Sequence, residues 1–319
     1  MKILVTGSEG TLMQAVIPKL LAHGHTIVGV DNLYRHGQPS AKAGIDYEFH
    51  NIDLTNKDQT LALFNNQFDV VFQAAAKLYG VGGFHHYCAD ILGDDTVVQS
   101  NVLRGCATTN VKRVVYISSS MVYEQGPNTA FTESMTDDIF MPKTDYGLSK
   151  LIGERMCQAF HQQYGLDYTI WRPFNIVNPK EQSMQQQGFS HVIADFVHNL
   201  VNKKLNPLPI IGDGLQIRCF TWLDDVATII ANYSLSDKTL NEAVNICNVE
   251  PVTMQELANI IWQACGNPNN LEFYTADDYV NDVKVRIPST EKLQSITDFK
   301  FTDTRTIIQR CIQEVTNNE

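Results

Sequence analysis

Short apolar segments alternate with amphipathic helical ones over the first half of the chain. Lys2–Thr6 is an apolar, β-branched run, and Leu12, Ala15, Val16 and Leu20 then recur at helical spacing. This alternation continues to about residue 175 and predicts a doubly wound parallel sheet with helices between its strands. Further strands are predicted at 26–30, 47–49, 70–72, 113–117 and 168–171, and helices near 58–64, 91–106 and 146–164.

The alternation of strands and helices stops after that point. Residues 180–188 are polar and rich in glutamine, which predicts a loop, and Asp224 and Asp225 predict the N-cap of a helix over 226–233. The other predicted elements are a helix at 192–201, a turn-rich strand region at 207–214, a strand at 244–246, a helix that begins at the capping box Thr253–Glu256, and a last helix from Thr304.

Composition and charge restrict the class of protein. The chain has 319 residues and a net charge of −11, with a pI near 5.2, which argues against nucleic-acid and membrane surfaces. No apolar run reaches the ~18 residues of a membrane span, and nothing resembles a signal peptide. Seven scattered cysteines without a C-x-x-C pair predict reduced thiols in a cytoplasmic protein. His85 and His86 have no third ligand at metal spacing, so no metal is expected.

The first strand leads into a glycine turn and then a helix, the context of a phosphate-binding loop. Gly7 and Gly10 let the backbone approach phosphates, and the helix N-terminus supplies N–H groups. Met13 stands where the usual third glycine would allow close helix–strand packing. Asp31 ends the next strand, where a carboxylate binds ribose hydroxyls and repels a 2′-phosphate, so we favour NAD over NADP; the nearby Arg35 could accommodate that phosphate.

Other polar or small residues follow the predicted strands, at the edge where parallel sheets bind ligands. Asp53 is expected to reach the adenine of the cofactor or, alternatively, to cap the following helix. The small residues 74–76 would let a cofactor lie against the backbone, and the hydroxyls of 118–120 would face the same crevice. The glycine-rich stretch 79–86 is a flexible loop facing the site or a surface turn.

Tyr146 and Lys150 are four residues apart and therefore share one helix face. An ammonium beside a phenol lowers the phenol pKa, and the pair could then take a proton from an alcohol while hydride leaves its carbon. A solvated helix face with the same spacing is the alternative interpretation.

Taken together, these motifs resemble the extended short-chain dehydrogenase/reductases of the nucleotide-sugar epimerase and dehydratase group. This resemblance implies a Rossmann domain over 1–175 with a returning segment at about 217–248. A smaller α+β substrate domain over 176–216 and 249–319 and a homodimer are also implied. The motifs that carry the resemblance are Thr6–Gly10, Asp31–Leu33, Asp53–Leu54, Ala74–Ala76, Ser118–Ser120, Tyr146-x-x-x-Lys150, Arg172–Asn175 and Arg218-x-Phe220-x-x-x-Asp224–Val226.

The same resemblance implies roles residue by residue. Tyr146 is the expected base, Lys150 binds the nicotinamide ribose and tunes it, and Ser119 bonds the reacting sugar oxygen. The other expected NAD contacts are Gly7, Glu9, Gly10, Thr11, Leu12, Asp31, Asn32, Asp53, Leu54, Ala74, Ala75, Ala76 and Pro173. The expected contacts to a nucleotide diphosphate sugar are Lys77, Gly82, Ser119, Ser120, Asn175, His191, Arg218 and Arg286, with the two arginines at the diphosphate.

Departures from the family pattern reduce the number of reactions that we expect. Sugar dehydratases carry an Asp-Glu pair where this chain has Ser120 and Met121, so dehydration is not expected. Residues 74–77 and 190–193 are similar to the GDP-fucose synthases, with His191 at the position of their acid. However, Met121 replaces their basic cysteine and has no proton to exchange. Asp95 stands where relatives usually have Asn, and Val177-Asn178 replace the usual Tyr-Gly.

The resemblance implies an NAD-dependent nucleotide-sugar C4 oxidoreductase, with a 4-epimerase acting through a 4-keto sugar as the first interpretation. A 4-dehydrogenase or a 4-keto reductase uses the same residues, and the stretch 73–83 favours a GDP-sugar. A dinucleotide sensor without catalysis would not need Ser119, Tyr146 and Lys150. An enzyme of steroid or flavonoid-type alcohols would not need Arg218.

Overall fold

The computed structural model describes residues 1–34, 46–77, 81–124, 130–137, 141–181, 183, 190–267, 269–276 and 284–317. Arg35, most of the predicted loop at 180–188 and the first residues of the 79–86 stretch lie outside the described part of the chain. The strands are β1 Lys2–Thr6, β2 Thr26–Asp31, β3 Glu48–Asn51, β4 Val70–Gln73, β5 Arg113–Ile117, β6 Asp167–Pro173, β7 Ile176–Val177, β8 Leu208–Ile210, β9 Ile217–Cys219, β10 Thr221–Trp222, β11 Glu242–Ile246, β12 Pro251–Thr253, β13 Phe273–Thr275 and β14 Val285–Arg286. The helices are α1 Thr11–Ala22, α2 Lys57–Leu63, α3 Val81–His86, α4 Cys88–Ala107, α5 Asp145–Tyr164, α6 Val192–Val197, α7 Leu223–Tyr233, α8 Met254–Ala264, α9 Glu291–Ile296 and α10 Thr304–Thr316.

The central element is a parallel sheet in the order β11-β6-β5-β4-β1-β2-β3, which confirms the predicted doubly wound fold. The strand order reverses between β1 and β4. At such a switch point the connections leave in opposite directions and open a crevice at the carboxyl ends of the strands. The prediction that strands 1 to 6 form one sheet is correct, and β11 adds a seventh strand beside β6.

Alternate residues of the strands pack against helices on the two faces of this sheet. Ile3 and Val5 of β1 are fully buried in a cluster with α1 and α7. Leu4 points to the opposite face, into a cluster with α2, α4 and α5. Met13 is buried in the first cluster, so the side chain at the third-glycine position fills space between α1 and the sheet. This two-faced burial holds the carboxyl edge of the sheet in place.

A third cluster lies in the second half of the chain, formed by α6, α8, α10 and the short strands near them. Thr253 caps α8 and Glu256 completes the reciprocal bond, as the predicted capping box requires. The N-cap prediction for Asp224 and Asp225 is wrong, because α7 begins at Leu223 and both carboxylates lie within its first turn. Asp224 pairs with Lys19 at 2.8 Å, and Asp225 accepts a hydrogen bond from the Thr302 N–H at 2.6 Å.

The glycine-rich stretch also differs from its prediction. Over its described residues it forms the short helix α3 rather than a loop, and Phe84 on this helix is buried. The burial of one aromatic ring gives the segment a defined position despite its glycines. Among the described residues, no helix is long and apolar enough to cross a membrane.

Candidate active site

A single cleft of about 1570 Å³ runs along the carboxyl edge of the sheet and continues towards α6 and α10. A pocket for one small ligand usually has roughly 300–1,000 Å³, so this cleft has room for a dinucleotide and a second ligand. The predicted site residues that line it are Gly7, Gly10, Thr11, Leu12, Asp31, Asn32, Asp53, Leu54, Ala74, Ala75, Ala76, Lys77, Ser119, Ser120, Tyr146, Lys150, Pro173, Asn175, His191, Arg218 and Arg286. Gly82 is described only by its backbone within α3.

The turn after β1 has the geometry of a phosphate cradle. Gly7 has a φ of +65°, and a Cβ placed there would come within 2.9 Å of the Ala75 backbone. Gly10 is the N-cap residue of α1, and no side chain caps that helix end. The backbone N–H groups of the first turn therefore face the cleft without a capping side chain, which suits a phosphate group.

Asp31 lies at the end of β2, beside this turn. Its carboxylate accepts hydrogen bonds from the backbone N–H of Glu9 at 3.1 Å and of Leu33 at 2.8 Å. The Glu9 side chain does not line the cleft; its carboxylate accepts a hydrogen bond from the Tyr47 hydroxyl and is buried. The expectation that Glu9 contacts the cofactor therefore does not extend to its side chain.

The neighbouring strand ends complete this half of the cleft. The Thr6 hydroxyl accepts hydrogen bonds from the N–H groups of Ala74 and Ala75, both at 3.2 Å, and so fixes the small-residue segment after β4. Asp53 lines the cleft and accepts from Thr55, whereas Asn56 caps α2, so the capping alternative for Asp53 is wrong.

The N-terminus of α5 positions the Tyr146–Lys150 pair. Thr144 is the N-cap residue, and its hydroxyl accepts from the Gly147 N–H at 3.1 Å. The Glu124 carboxylate in turn accepts from the Thr144 N–H at 2.7 Å. This double cap holds the first turn, and therefore Tyr146, against the end of β5. No sequence motif pointed to Glu124, because its contact with Thr144 is made only in the folded chain.

Tyr146 and Lys150 are both almost fully buried at the floor of the cleft. The Lys150 ammonium lies 5.7 Å from the centroid of the Tyr146 ring and donates to the Ile117 carbonyl at 3.0 Å. Burial raises the pKa of Tyr146, a hydrogen bond from Ser119 lowers it by less, and the charge of Asp95 raises it further. Burial also lowers the pKa of Lys150, which the charges of Asp95 and Glu154 oppose.

The predicted depression of the Tyr146 pKa by Lys150 is therefore wrong for this structure. Removal of the phenol from water disfavours the phenolate more than the surrounding groups favour it. In this state Tyr146 is a protonated phenol that can donate a proton.

Phe84 covers the Tyr146 ring. The two rings are stacked with centroids 4.4 Å apart and an interplanar angle of 6°. Phe84, Met121 and Ile91 form a small buried cluster with Tyr146, and both Phe84 and Met121 line the cleft. Sequence reasoning did not identify Phe84; the only available signal was an aromatic residue directly after two glycines.

A buried ion pair lies behind the reaction centre. The Arg172 guanidinium donates to the Glu154 carboxylate through Nε at 2.9 Å and Nη2 at 2.6 Å. Glu154 lies four residues after Lys150 on α5 and also accepts from the Ser118 hydroxyl. Arg172 Nη1 donates to the Tyr123 hydroxyl at 2.6 Å. This cluster ties α5 to the ends of β5 and β6, which carry the residues next to Ser119 and Asn175.

The far half of the cleft contains the polar side chains expected to hold a second ligand. Arg218 and Arg286 are register partners on the parallel strands β9 and β14, and both are buried. The Asn175 amide donates to the Cys219 carbonyl at 2.7 Å. His191 precedes α6 and its Nδ1 lies 2.8 Å from Glu181. Both arginines line the cleft and start from paired positions of neighbouring strands, so they bring positive charge to one part of it, which suits a ligand with clustered negative charge.

Comparison with known proteins agrees with this geometry. The profile of the NAD dependent epimerase/dehydratase family matches residues 3–247. GDP-mannose 3,5-epimerase 1 of Oryza sativa subsp. indica is 28% identical over 264 residues, which are 82% of this chain and 68% of that protein. GDP-L-fucose synthase 1 of Arabidopsis thaliana is 27% identical over 271 residues, 83% of this chain and 78% of that protein. The structure of a Thermus thermophilus UDP-glucose 4-epimerase complex with NAD is similar over 99% of each chain, with a TM-score of 0.83 and 23% identity.

Proposed function

Because the chain belongs to the NAD-dependent epimerase/dehydratase family, we propose that it is a nucleotide-sugar 4-epimerase that works through a 4-keto sugar. The observation that carries this proposal is the convergence of Ser119, Tyr146 and Lys150 at the floor of one cleft. The phosphate cradle at Gly7 opens at one end of that cleft, and the Arg218–Arg286 pair lies towards the other.

The cofactor of the family, NAD, fits the first half of the cleft. A side chain at Gly7 would collide with the Ala75 backbone, so this position requires glycine. The turn therefore has no side chain at the point where the diphosphate would approach the backbone. Asp31 would hold the adenosine ribose through its carboxylate, and Lys150 would hold the nicotinamide ribose. When bound, NAD supplies an acceptor and donor of hydride at the sugar carbon.

The residues of this chain would move the proton that accompanies the hydride. The Ser119 hydroxyl would hold the C4 oxygen of the sugar, and the Tyr146 oxygen would take the hydroxyl proton. The Lys150 ammonium would stabilise the Tyr146 phenolate, which takes the proton from the sugar hydroxyl and becomes the neutral phenol. Return of the proton by Tyr146 and of hydride to the opposite face of C4 would give the epimer.

Met121 favours C4 chemistry over epimerisation at C3 or C5, although relatives at 27–28% identity include a GDP-mannose 3,5-epimerase. Its thioether lines the cleft beside Tyr146 and cannot exchange a proton. Ser120 likewise offers no carboxylate for elimination. For the base we propose guanine, because these two relatives are named for GDP-sugars.

A 4-keto reductase is the second candidate, and one observation favours it. Burial raises the pKa of Tyr146, so the phenol carries the proton that the reduction of a ketone consumes. The same residues would then work in one direction only.

Epimer formation separates the two candidates, and solvent deuterium tests for chemistry at C3 or C5. We would incubate the purified protein with NAD and a GDP- or UDP-hexose in D₂O and follow the sugar protons by NMR. A 4-epimerase should convert the sugar to its C4 epimer with no deuterium at any ring carbon. Deuterium at C3 or C5 would contradict the proposal. A hexose left unchanged with NAD, together with reduction of a 4-keto sugar by NADH to a single C4 alcohol, would contradict the 4-epimerase and is the result that a 4-keto reductase predicts.

A further inference from the structure

Asp95 is a charged group at the reaction centre that the proposed proton transfer does not use. It lies on α4, is partly buried and lines the cleft. One carboxylate oxygen accepts from the Lys77 N–H at 2.9 Å, and the other accepts from the Ser149 hydroxyl at 3.3 Å. Asp95 therefore joins the segment after β4 to the helix that carries Tyr146 and Lys150.

We propose that Asp95 is a positioning residue that serves as the counter-charge of Lys150 at the floor of the cleft, beside the first turn of α5. This inference rests on the proposed function for its activity measurement but not for its binding measurement. The carboxylate is held by two contacts that do not involve Lys150, so its position is fixed independently of the ammonium.

Other charged groups around the pair leave this role to Asp95. Asp94, the preceding residue, pairs with the Lys77 ammonium at 2.5 Å. Glu154 bonds Arg172, whose guanidinium already balances its charge. The ring of Tyr116 lies 5.4 Å below the Lys150 ammonium and carries no charge at neutral pH. Within the described residues, Asp95 is the carboxylate whose charge acts on both Lys150 and Tyr146.

The sign of the effect follows from the charge. A negative group favours the protonated form of its neighbours, so Asp95 raises the pKa of Lys150 and of Tyr146. Neutralisation of Asp95 should lower both values. Activity that needs Tyr146 as the base and Lys150 as the ammonium should then occupy a window displaced to lower pH. Because the two groups interact, each limb of the pH–activity profile reports the titration of the Tyr146–Lys150 pair and not of either residue alone.

The test compares Asp95→Asn with two matched variants. Asn has the shape of Asp and keeps an acceptor for the Lys77 N–H, so only the charge is lost. Asp94→Asn removes a neighbouring charge that is paired elsewhere, and Ser149→Ala removes the hydrogen bond but keeps the Asp95 charge. Asp95→Ser supplies a second neutral side chain if the Asn variant does not fold.

Two readouts are measured from pH 6 to 10. The first is the dissociation constant of NADH, followed by its fluorescence, which needs no sugar substrate. We expect the affinity for NADH to decrease at alkaline pH. In Asp95→Asn and Asp95→Ser this decrease should begin at a lower pH than in the wild-type protein, because Lys150 loses its proton at a lower pH. The second is kcat/KM for the nucleotide sugar, whose pH profile should move to lower pH. The control variants should keep the wild-type limbs in both readouts.

Limbs that stay in place in the neutral variants would overturn the proposal and leave Asp95 a purely structural contact. Limbs that move to higher pH, or that move equally in Ser149→Ala, would also overturn it. If no nucleotide sugar reacts, the proposed function fails while the NADH measurement still decides the role of Asp95.

Discussion

The Phe84 ring lies flat on the Tyr146 ring, 4.4 Å away between centroids and nearly parallel to it. Phe84 belongs to α3, which is separated from α5 by almost sixty positions along the chain. The stack excludes water from one face of the phenol that we propose as the acid and base. The raised pKa of Tyr146 has burial as its largest cause, so this contact links the conformation of α3 to the protonation of the reaction centre.

Replacement of Phe84 should therefore change the pH dependence of the reaction. Phe84→Ala admits water to the phenol and should lower the pKa of Tyr146, which moves the acid limb of kcat/KM to lower pH. Phe84→Leu keeps an apolar cover and should move the limb less. An acid limb unchanged in the Ala variant, in a protein that remains folded by circular dichroism, would show that Phe84 does not control the phenol.

Asp31 should determine cofactor choice. Asp31→Asn keeps one oxygen that can accept a hydrogen bond from the N–H of Glu9 or of Leu33. The substitution removes the negative charge that repels a 2′-phosphate. We expect the ratio of the dissociation constants of NADP and NAD to fall by about tenfold, or about 1.4 kcal/mol. Asp53→Asn, at the next strand end, is the matched control and should leave the ratio unchanged. Equal affinity of the wild-type protein for both dinucleotides would contradict this assignment.

Arg218 should contribute to sugar-nucleotide binding but not to NAD binding. Arg218→Ala removes the guanidinium that would pair with the ligand diphosphate, and loss of one partner of a buried charge pair usually costs ~2–5 kcal/mol of binding free energy. Calorimetric titration with GDP and UDP measures the effect, and Arg305→Ala, an exposed arginine on α10, is the control. Unchanged affinity for both nucleotides in Arg218→Ala would place the diphosphate elsewhere.

The Arg172–Glu154 pair should stabilise the fold behind the active site. Arg172→Met leaves the Glu154 carboxylate buried without its partner, and we expect the free energy of unfolding to fall by ~3–5 kcal/mol. The half-exposed Lys292–Glu242 pair has a similar separation, and Lys292→Met should cost ~1 kcal/mol or less. Chemical denaturation compares the two variants. Equal losses of unfolding free energy in the two variants would mean that burial does not determine how much an ion pair contributes to stability.

The sequence allowed the central sheet and one edge of the site to be predicted for a simple reason. Residues that follow parallel strands meet at the carboxyl edge, so Gly7, Asp31, Ala75 and Ser119 had to converge once the strands were recognised. Tyr146 and Lys150 joined them because a helix fixes the relation of residues four apart.

Contacts between distant segments could not be predicted in the same way. Arg218 and Arg286 become neighbours only because β14 pairs with β9, and no local pattern encodes that pairing. Phe84 was missed since the glycines beside it predict a loop. The direction of the Tyr146 pKa depends on how many apolar groups surround the phenol, a quantity that only the folded chain defines.

Lys150 should affect both the cofactor and the reaction. Lys150→Met keeps the length of the side chain but removes the ammonium, so NAD affinity and turnover should both fall. An NAD affinity equal to that of the wild-type protein, measured by calorimetry, would separate Lys150 from the ribose and contradict its assigned place.

Turnover of Tyr146→Phe tests the central claim most directly. The substitution removes only the hydroxyl and keeps the ring that packs on Phe84, so the protein should fold and bind NAD. Tyr164→Phe removes the same group from the exposed end of α5 and serves as the control. We predict that C4 epimer formation from the nucleotide sugar, followed by NMR, falls by ~10²–10⁴-fold in Tyr146→Phe and is unchanged in Tyr164→Phe. Turnover of Tyr146→Phe near the wild-type rate would contradict the account, because the proton would then be moved by another group.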